Sequence, residues 1–514
     1  MTTFRQRLVA FLVIAAMAGV ACGTRLPDEA FQLQAGQVGE GIDVDGDGVI
    51  DITGVDPDSS GDGLSDSTTG GSGSGATRSG GGGGGSGGST GGGNSAGGGS
   101  GGPAKANYAS DTGVTATEIR VGNVTAIGGP LGPETFSGGL HGARAYFLDI
   151  NSRGGINGRK VSFNTCDDKE NPERNKACTR SLIDDSKVFG MVASATDAFA
   201  PGSAQYMAEQ GVPDVGSQPI GSEYYKWPTL YSILGAEGYT RDGSEYGQGG
   251  RVYVQTGQYR WFKQVKKIDK AAVIFYAAPA IAKSAGEFII KGLQREGIEV
   301  VYTPNNGAGR NPADPNFDQD VIGMQQAGAQ GVWQAIDTPG FQRLCRSIDR
   351  FGATEQLQVV VGAANTMTNA LGSSFSSPCR DHVYINHESW PFSDTQNPEV
   401  AKFQAAMQRY DPNWTLSQWA FEGWIGAKMF AEGVASMGAD VTRKGLIQWL
   451  DGQRDWNAGG AMAGVDWRRD PINRDATTEE CFTISQWQDS AKGWTSQAKP
   501  FTCYDLPWVF YTAS

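Results

Sequence analysis

The chain has 514 residues, a net charge of −13, three histidines and seven cysteines. The acidic balance excludes the basic surface that nucleic-acid binding requires, and the length suits two lobes of ordinary size plus accessory segments. His141, His382 and His387 have no metal-ligand spacing and no phosphate-loop or HExxH motif occurs, so nothing marks an enzyme.

The first segment is MTTFRQRLVAFLVIAAMAGVAC. Arg5 and Arg7 precede an apolar run from Leu8 to Val20, too short to span a bilayer and of the form of an export signal, residues 1–21. The small residues before Cys22 resemble a bacterial lipoprotein signal, which implies a lipid on Cys22 and an extracytoplasmic protein held to the cell membrane. Gly19 stands where that signal usually has leucine; a plain secretory signal and an uncleaved anchor are the alternatives. Six cysteines remain, an even number suited to an oxidising compartment. Sequence neighbours pair Cys166 with Cys178, Cys345 with Cys379 and Cys481 with Cys503, although other connectivities stay open.

Residues 22–66 are acidic. Asp43, Asp45, Asp47 and Asp51 around Gly48 have the alternate-oxygen spacing of a calcium loop, and Asp58, Ser60, Asp62 and Asp66 around Gly63 repeat it. The glutamate that closes an EF-hand is absent, and the pair resembles the Asp-rich calcium repeats of thrombospondin type 3. Weak calcium binding is one reading and a solvated acidic linker the other; no other cofactor is implied. Residues 67–103 form a Gly/Ser tether with 20 glycines in positions 67 to 102. Such a coil averages about 30–35 Å end to end, enough to let a membrane-held domain float clear of the surface. A GxSxG match at Ser86 falls in this tether, without the strand–turn–helix setting a nucleophile needs.

From residue 104 to 514 the composition is globular and the pattern alternates. EIRVGNVTA reads as a strand; Leu140, Ala143, Phe147 and Ile150 mark a helix that stops at Gly154-Gly155. KVSFNT, VFGMVAS and VPDVGS follow as extended segments, with helices around 176–186 and 204–210. A second series begins at AAVIFYAA and continues through EVVYT, GVWQAI and QVVVGA, with helices around 284–296, 319–327 and 341–351. This alternation predicts an α/β protein with two lobes of parallel sheet covered on both faces. The glycine-rich stretch GYTRDGSEYGQGGRVYVQTGQYRWF between the series is expected to hold a crossover and a surface insertion.

FSGGLHGARAYFLDINSRGGINGRKVSFNTCDD resembles the opening of the leucine/isoleucine/valine-binding proteins, the type I extracytoplasmic solute receptors of ABC transporters. The resemblance continues through VFGMVASATDAFAPGSA, TLYSILGAEG, WAFEGWIGAKMFAEGVASMGA, GVDWRRD and FTISQW, over roughly residues 118 to 490. It implies the type I periplasmic binding protein fold: two Rossmann-like lobes joined by a three-crossover hinge and closing on a ligand. Lobe 1 would take about 118–236 and 388–475, and lobe 2 about 237–387 and 476–514. The implied partners are a small ligand, an ABC permease and the membrane, for a monomeric receptor that captures an amino acid or a related organic acid or amide. A sensing module working with a separate signalling partner is the alternative.

Ligands of parallel sheets lie beyond the carboxyl ends of the strands. The candidate residues there are Ser194, Ala195, Thr196, Ser217, Pro219, Ile220, Tyr276, Asp337, Thr338 and Ala364. By resemblance Ser194 matches a serine that binds the ligand carboxylate, although Ser194 and Thr196 could each cap a helix instead. Ile220 replaces a ligand-binding threonine, Asp337-Thr338 a tyrosine, and Ala364 the glutamate that receives the ammonium of amino-acid ligands. A buried ammonium needs an acidic partner. Either Asp337 supplies it or the ligand is not an amino acid. Trp333, Tyr276, Tyr224, Tyr225, Trp227 and Trp390 are aromatic residues that serve as core or as ligand walls.

Overall fold

Strands with no exposed face need helices on both sides, and the apolar runs of this chain meet that demand twice. The computed structural model describes residues 43–44, 49–51, 105–129, 131–196, 202–218, 227–233, 252–278, 280–465, 479–498, 501–505 and 508–511. Cys22, the tether, Pro219, Ile220, Tyr224, Tyr225 and the calcium candidates Asp45, Asp47, Asp58, Ser60, Asp62 and Asp66 lie outside those residues. Asp43 and Asp51 are described only as parts of two short strands, Asp43–Val44 (β1) and Val49–Asp51 (β2).

Lobe 1 contains Glu118–Thr125 (β3), Lys160–Asp167 (β4), Gly190–Val192 (β5), Asp214–Val215 (β6) and Leu230–Tyr231 (β7). The order is β2-β4-β3-β5-β6-β7. β3 to β7 run parallel, and β2 joins β4 antiparallel with Val49 opposite Cys166. Lobe 2 contains Val252–Gln255 (β8), Lys270–Phe275 (β9), Glu299–Tyr302 (β10), Gly331–Ala335 (β11), Val359–Ala363 (β12), Val383–His387 (β13), Glu479–Gln488 (β14), Gly493–Ser496 (β15), Thr502–Asp505 (β16) and Trp508–Tyr511 (β17). Its main sheet has the order β10-β9-β11-β12-β13-β14-β15, with β16 on β14 and a separate β17-β8 pair. The expected parallel pairing holds from β9 to β13; β14 to β16 pair antiparallel, because strands joined by short turns need no helical crossover.

The helix Gly138–Ser152 buries Leu140, Ala143 and Phe147 in lobe 1. A helix from much later in the chain, Gln418–Ala435, crosses it at backbone contact: a Cβ on Gly142 would lie 1.7 Å from the Ala420 carbonyl oxygen, and one on Gly423 would lie 2.0 Å from that of Gly139. This packing returns the stretch 398–452 to lobe 1 after the chain has built the parallel part of lobe 2. Two crossovers therefore run side by side. Trp390 N–H donates to the Ala461 oxygen (2.7 Å), Ala463 N–H to that of Glu388 (3.4 Å), and Ser389 bridges Met462. The crossover expected in the glycine-rich stretch falls on 234–251, outside the described residues.

Two details differ from the sequence reading. Residues 252–265 at the end of the glycine-rich stretch form β8 and the helix Gly257–Val265, because Tyr259 and Phe262 recur at helical spacing and are buried. The helix expected at 341 begins at Thr338, since the Asp337 carboxylate caps it by accepting from Gly340 N–H (2.9 Å) and Pro339 suits its first turn. All three neighbour disulfides form, Cys166–Cys178, Cys345–Cys379 and Cys481–Cys503.

The helix crossing makes a direct prediction. Gly142→Ala has no room to relax against a backbone carbonyl and should cost about 3 kcal/mol in urea unfolding. Gly452→Ala, with open space around its added methyl, should stay within about 0.5 kcal/mol of the parent.

Candidate functional site

The carboxyl ends of the strands carry the candidate loops, and the loop between Cys166 and Cys178 organises those of lobe 1. Asp167 Oδ1 accepts from the backbone N–H groups of Ile127 (2.9 Å), Gly128 (3.1 Å) and Lys169 (2.9 Å). Glu170 Oε1 accepts from Leu131 N–H (2.9 Å), so both carboxylates hold the loop that follows β3. Asp168, between them, is fully buried and accepts from Thr196 Oγ1 (2.6 Å), Asn175 Nδ2 (2.9 Å) and Glu170 N–H (3.0 Å). Burial pushes the Asp168 carboxyl above its usual range, and these hydrogen bonds oppose the shift. Lys169 and Glu170 both hold the left-handed backbone region, at φ 53° and 55°, which turns the three acidic side chains toward two different loops.

The expected site residues fall into separate groups. Ser194 Oγ accepts from Val124 N–H (3.2 Å), and Ser194 N–H donates to Ser217 Oγ (3.0 Å), whose hydroxyl donates to the Asp214 carboxylate. Ser194 and Ser217 thus tie together the ends of β3, β5 and β6. Thr196 is committed to Asp168. In lobe 2, Tyr276 Oη donates to Asp337 Oδ1 (2.7 Å) and accepts from Arg343 Nη2 (3.1 Å). Burial, then the Asp337 carboxylate, raises the Tyr276 hydroxyl pKa, so the phenol stays protonated and keeps donating. Thr338 opens the helix behind this pair.

One cluster joins the two lobes. Ala195 and Ala126 of lobe 1 and Ala364 of lobe 2 pack with Phe136 and Trp419, and the half-buried Leu131 lies against them. The Phe136 and Trp419 rings stand 6.3 Å apart at 42°. Ala195 is aligned with Thr125 at the strand ends, and Ser417 caps the Gln418–Ala435 helix, setting Trp419 in its first turn. Sequence reasoning placed Ala195 and Ala364 here and missed Trp419, whose only signal was an aromatic side chain next to a serine cap. The other aromatic candidates have different positions. Trp333 is in the lobe 2 core with Tyr259 and Phe262, Trp227 packs against the lobe 1 cluster that includes Leu182, Met207 and Leu230, and Trp390 is on a crossover.

The histidines are structural. His141 pairs with Asp411 (2.5 Å) and stacks on Trp414 at 3.7 Å, and His382 contacts the Gln358 carbonyl oxygen (3.1 Å). His387 shares a hydrogen bond with Ser485 Oγ (2.8 Å), and full burial pushes its pKa down to about 3, so it stays neutral. No group of three or more metal-ligating side chains occurs among the described residues.

The family model of the periplasmic binding proteins matches residues 118–493. The chain belongs to this family. Its members are extracytoplasmic substrate-binding proteins of ABC transporters rather than enzymes. No curated protein is a match. Similar solved structures include a fatty acid ABC transporter substrate-binding protein from Thermomonospora curvata, at 15% identity and TM-score 0.59, over 78% of this chain and 95% of that one. A solute binding protein from R. palustris in complex with 4-hydroxybenzoate matches at 16% identity and TM-score 0.58, over 76% and 98%. The branched-chain amino acid transporter substrate binding protein of Streptococcus pneumoniae, in complex with isoleucine, matches at 14% and 0.55, over 76% and 100%. At these identities the likeness is one of fold.

Asp168→Ala should remove three hydrogen bonds at once and cost about 3 kcal/mol in unfolding, more than the ~1 kcal/mol expected for Thr196→Val, which removes one of them.

Proposed function

We propose that this periplasmic binding protein is the receptor of an ABC importer for a small organic acid or amide that carries no ammonium group. The apolar contact between the lobes supports this most directly: Ala364 lies where amino-acid receptors of the resembling family place an acidic side chain, and it packs against Ala126, Ala195, Phe136 and Trp419. The other acidic candidate, Asp337, already caps a helix and receives the Tyr276 hydroxyl. An ammonium brought here would lose hydration without a dedicated partner, whereas a planar apolar body gains from the indole and phenyl faces. The structurally similar proteins include a fatty acid ABC transporter substrate-binding protein and a 4-hydroxybenzoate complex besides an isoleucine complex, so the fold accommodates amine-free acids. Capture would proceed by rotation of the lobes about the paired crossovers.

A thermal-shift screen checks the ligand class. Binding at a hundredfold excess over Kd adds about 2.7 kcal/mol, a rise of several degrees. Aromatic acids such as 4-hydroxybenzoate should raise the melting temperature and leucine should not. A shift from leucine alone would overturn the amine-free reading.

The same proposal holds the receptor at the membrane through a lipid on Cys22 and the Gly/Ser tether. Cys22→Ala should move the protein from the membrane to the soluble fraction on cell fractionation; equal retention of the variant would contradict the anchor.

A further inference from the structure

A carboxylic acid sits at the junction of lobe 1 and the crossovers, and ligand capture as described above gives it no role. Glu422 lies on the Gln418–Ala435 helix, fully buried. Its Oε2 accepts from Gln218 Nε2 (3.0 Å), at the end of lobe 1's β6 loop. Its Oε1 accepts from Ser389 Oγ (3.0 Å) and Gln418 Nε2 (3.5 Å). Ser389 belongs to the crossover strand that bridges Met462, and Gln418 clasps the same strand by accepting from Phe392 N–H (3.1 Å) and donating to the Trp390 carbonyl oxygen (3.1 Å). One carboxyl group therefore links the lobe 1 interior to the segment about which the lobes must turn.

We propose that Glu422 is a proton-operated latch on the hinge: the protonated acid stabilises the crossover docked against lobe 1, and ionisation releases it. This inference rests on the lobe-closure reading above and adds a regulation to it. Every hydrogen-bond partner of Glu422 among the described residues is uncharged: Gln218, Ser389 and Gln418. The titratable groups on the elements around it have their own partners. Asp214 takes Ser217, Glu399 takes Trp424 and Lys402, His141 takes Asp411, Glu388 has a partner as well, and His387 stays neutral. A buried carboxylate without a countercharge is unfavourable, and three neutral donors offset only part of its desolvation. The protonated form has an acceptor waiting. Gln218 Oε1 is buried without a hydrogen-bond partner among the described residues, and a half-turn of that amide would bring it opposite the Glu422 hydroxyl.

Burial raises the Glu422 pKa from 4.5 to about 7 in this docked arrangement. A hinge motion that hydrates the carboxyl returns it toward its ordinary value. The docked state then binds the extra proton between pH 4.5 and about 7. Undocking grows more favourable as pH rises through that window, by up to about tenfold per pH unit, and levels off above it.

Amide hydrogen exchange of the full chain without ligand tests this. The reporters are the N–H groups of Trp390, Phe392 and Ala463, which bond across the hinge. Their protection factors should fall as pH rises from 5 to 7 and stay level from 7 to 9, whereas Glu422→Gln should remove the pH dependence. A parent protein with flat protection, or a variant that keeps the parent's profile, would overturn the latch. Should Glu422→Gln fail to fold, Ser389→Ala decides: losing one donor to the carboxylate should move the midpoint to higher pH, and an unmoved midpoint counts against the proposal. Because no ligand is present, a null result here leaves the ligand class untouched, and a failed ligand screen leaves the latch untouched.

Discussion

The fold depends on two helices whose backbones touch. Gly139 and Gly142 on one helix face Ala420 and Gly423 on the other, and Gly216 meets Gly426 alongside. A single methyl at Gly142 would enter a carbonyl oxygen. Only at this spacing can a helix that follows lobe 2 in the chain seat itself in lobe 1, and that return obliges the chain to cross between lobes more than once. The paired crossovers, the docking of Ser389 and Gln418, and the position of Trp419 at the meeting of the lobes all follow from it.

The cleft side of lobe 1 has a different organiser. A loop closed by a disulfide carries Asp167, Asp168 and Glu170, and each spends its carboxylate on holding a neighbouring loop in place. Ser194 and Ser217 act in the same way on the strand ends. Polar groups that look available in the sequence are thus largely consumed in shaping the loops, and the cluster in which Ala364 of lobe 2 meets Ala126, Ala195, Phe136 and Trp419 is apolar. That division of labour is the basis of the proposed amine-free ligand.

The strands and helices with clean apolar periodicity were legible in the sequence; the neighbour pairing of the cysteines was one reading among several until the three disulfides formed as that reading had it. The segment 252–265 was not, since glycines and polar residues around Tyr259 and Phe262 obscured a helical spacing. Ala195 and Ala364 could be placed from strand ends alone, but their neighbour Trp419 arrives from a distant part of the chain, and no local pattern specifies that meeting. The sequence could not name the partners of Asp337, which are the Gly340 N–H and the Tyr276 hydroxyl, because Tyr276 comes from another strand end. Glu422 did leave a trace: one acid inside the otherwise apolar WAFEGWIGA is unusual for a buried helix, and it marks a polar junction.

Capture by lobe closure is the central claim, and the distance between the lobes measures it. Spin labels at the exposed positions Glu173 in lobe 1 and Ser373 in lobe 2 leave both cores and the hinge untouched. Pulsed dipolar spectroscopy should show a shorter, narrower distance distribution when the chain is saturated with the acid that raises its melting temperature most. A bound ligand that leaves the distribution unchanged would contradict closure.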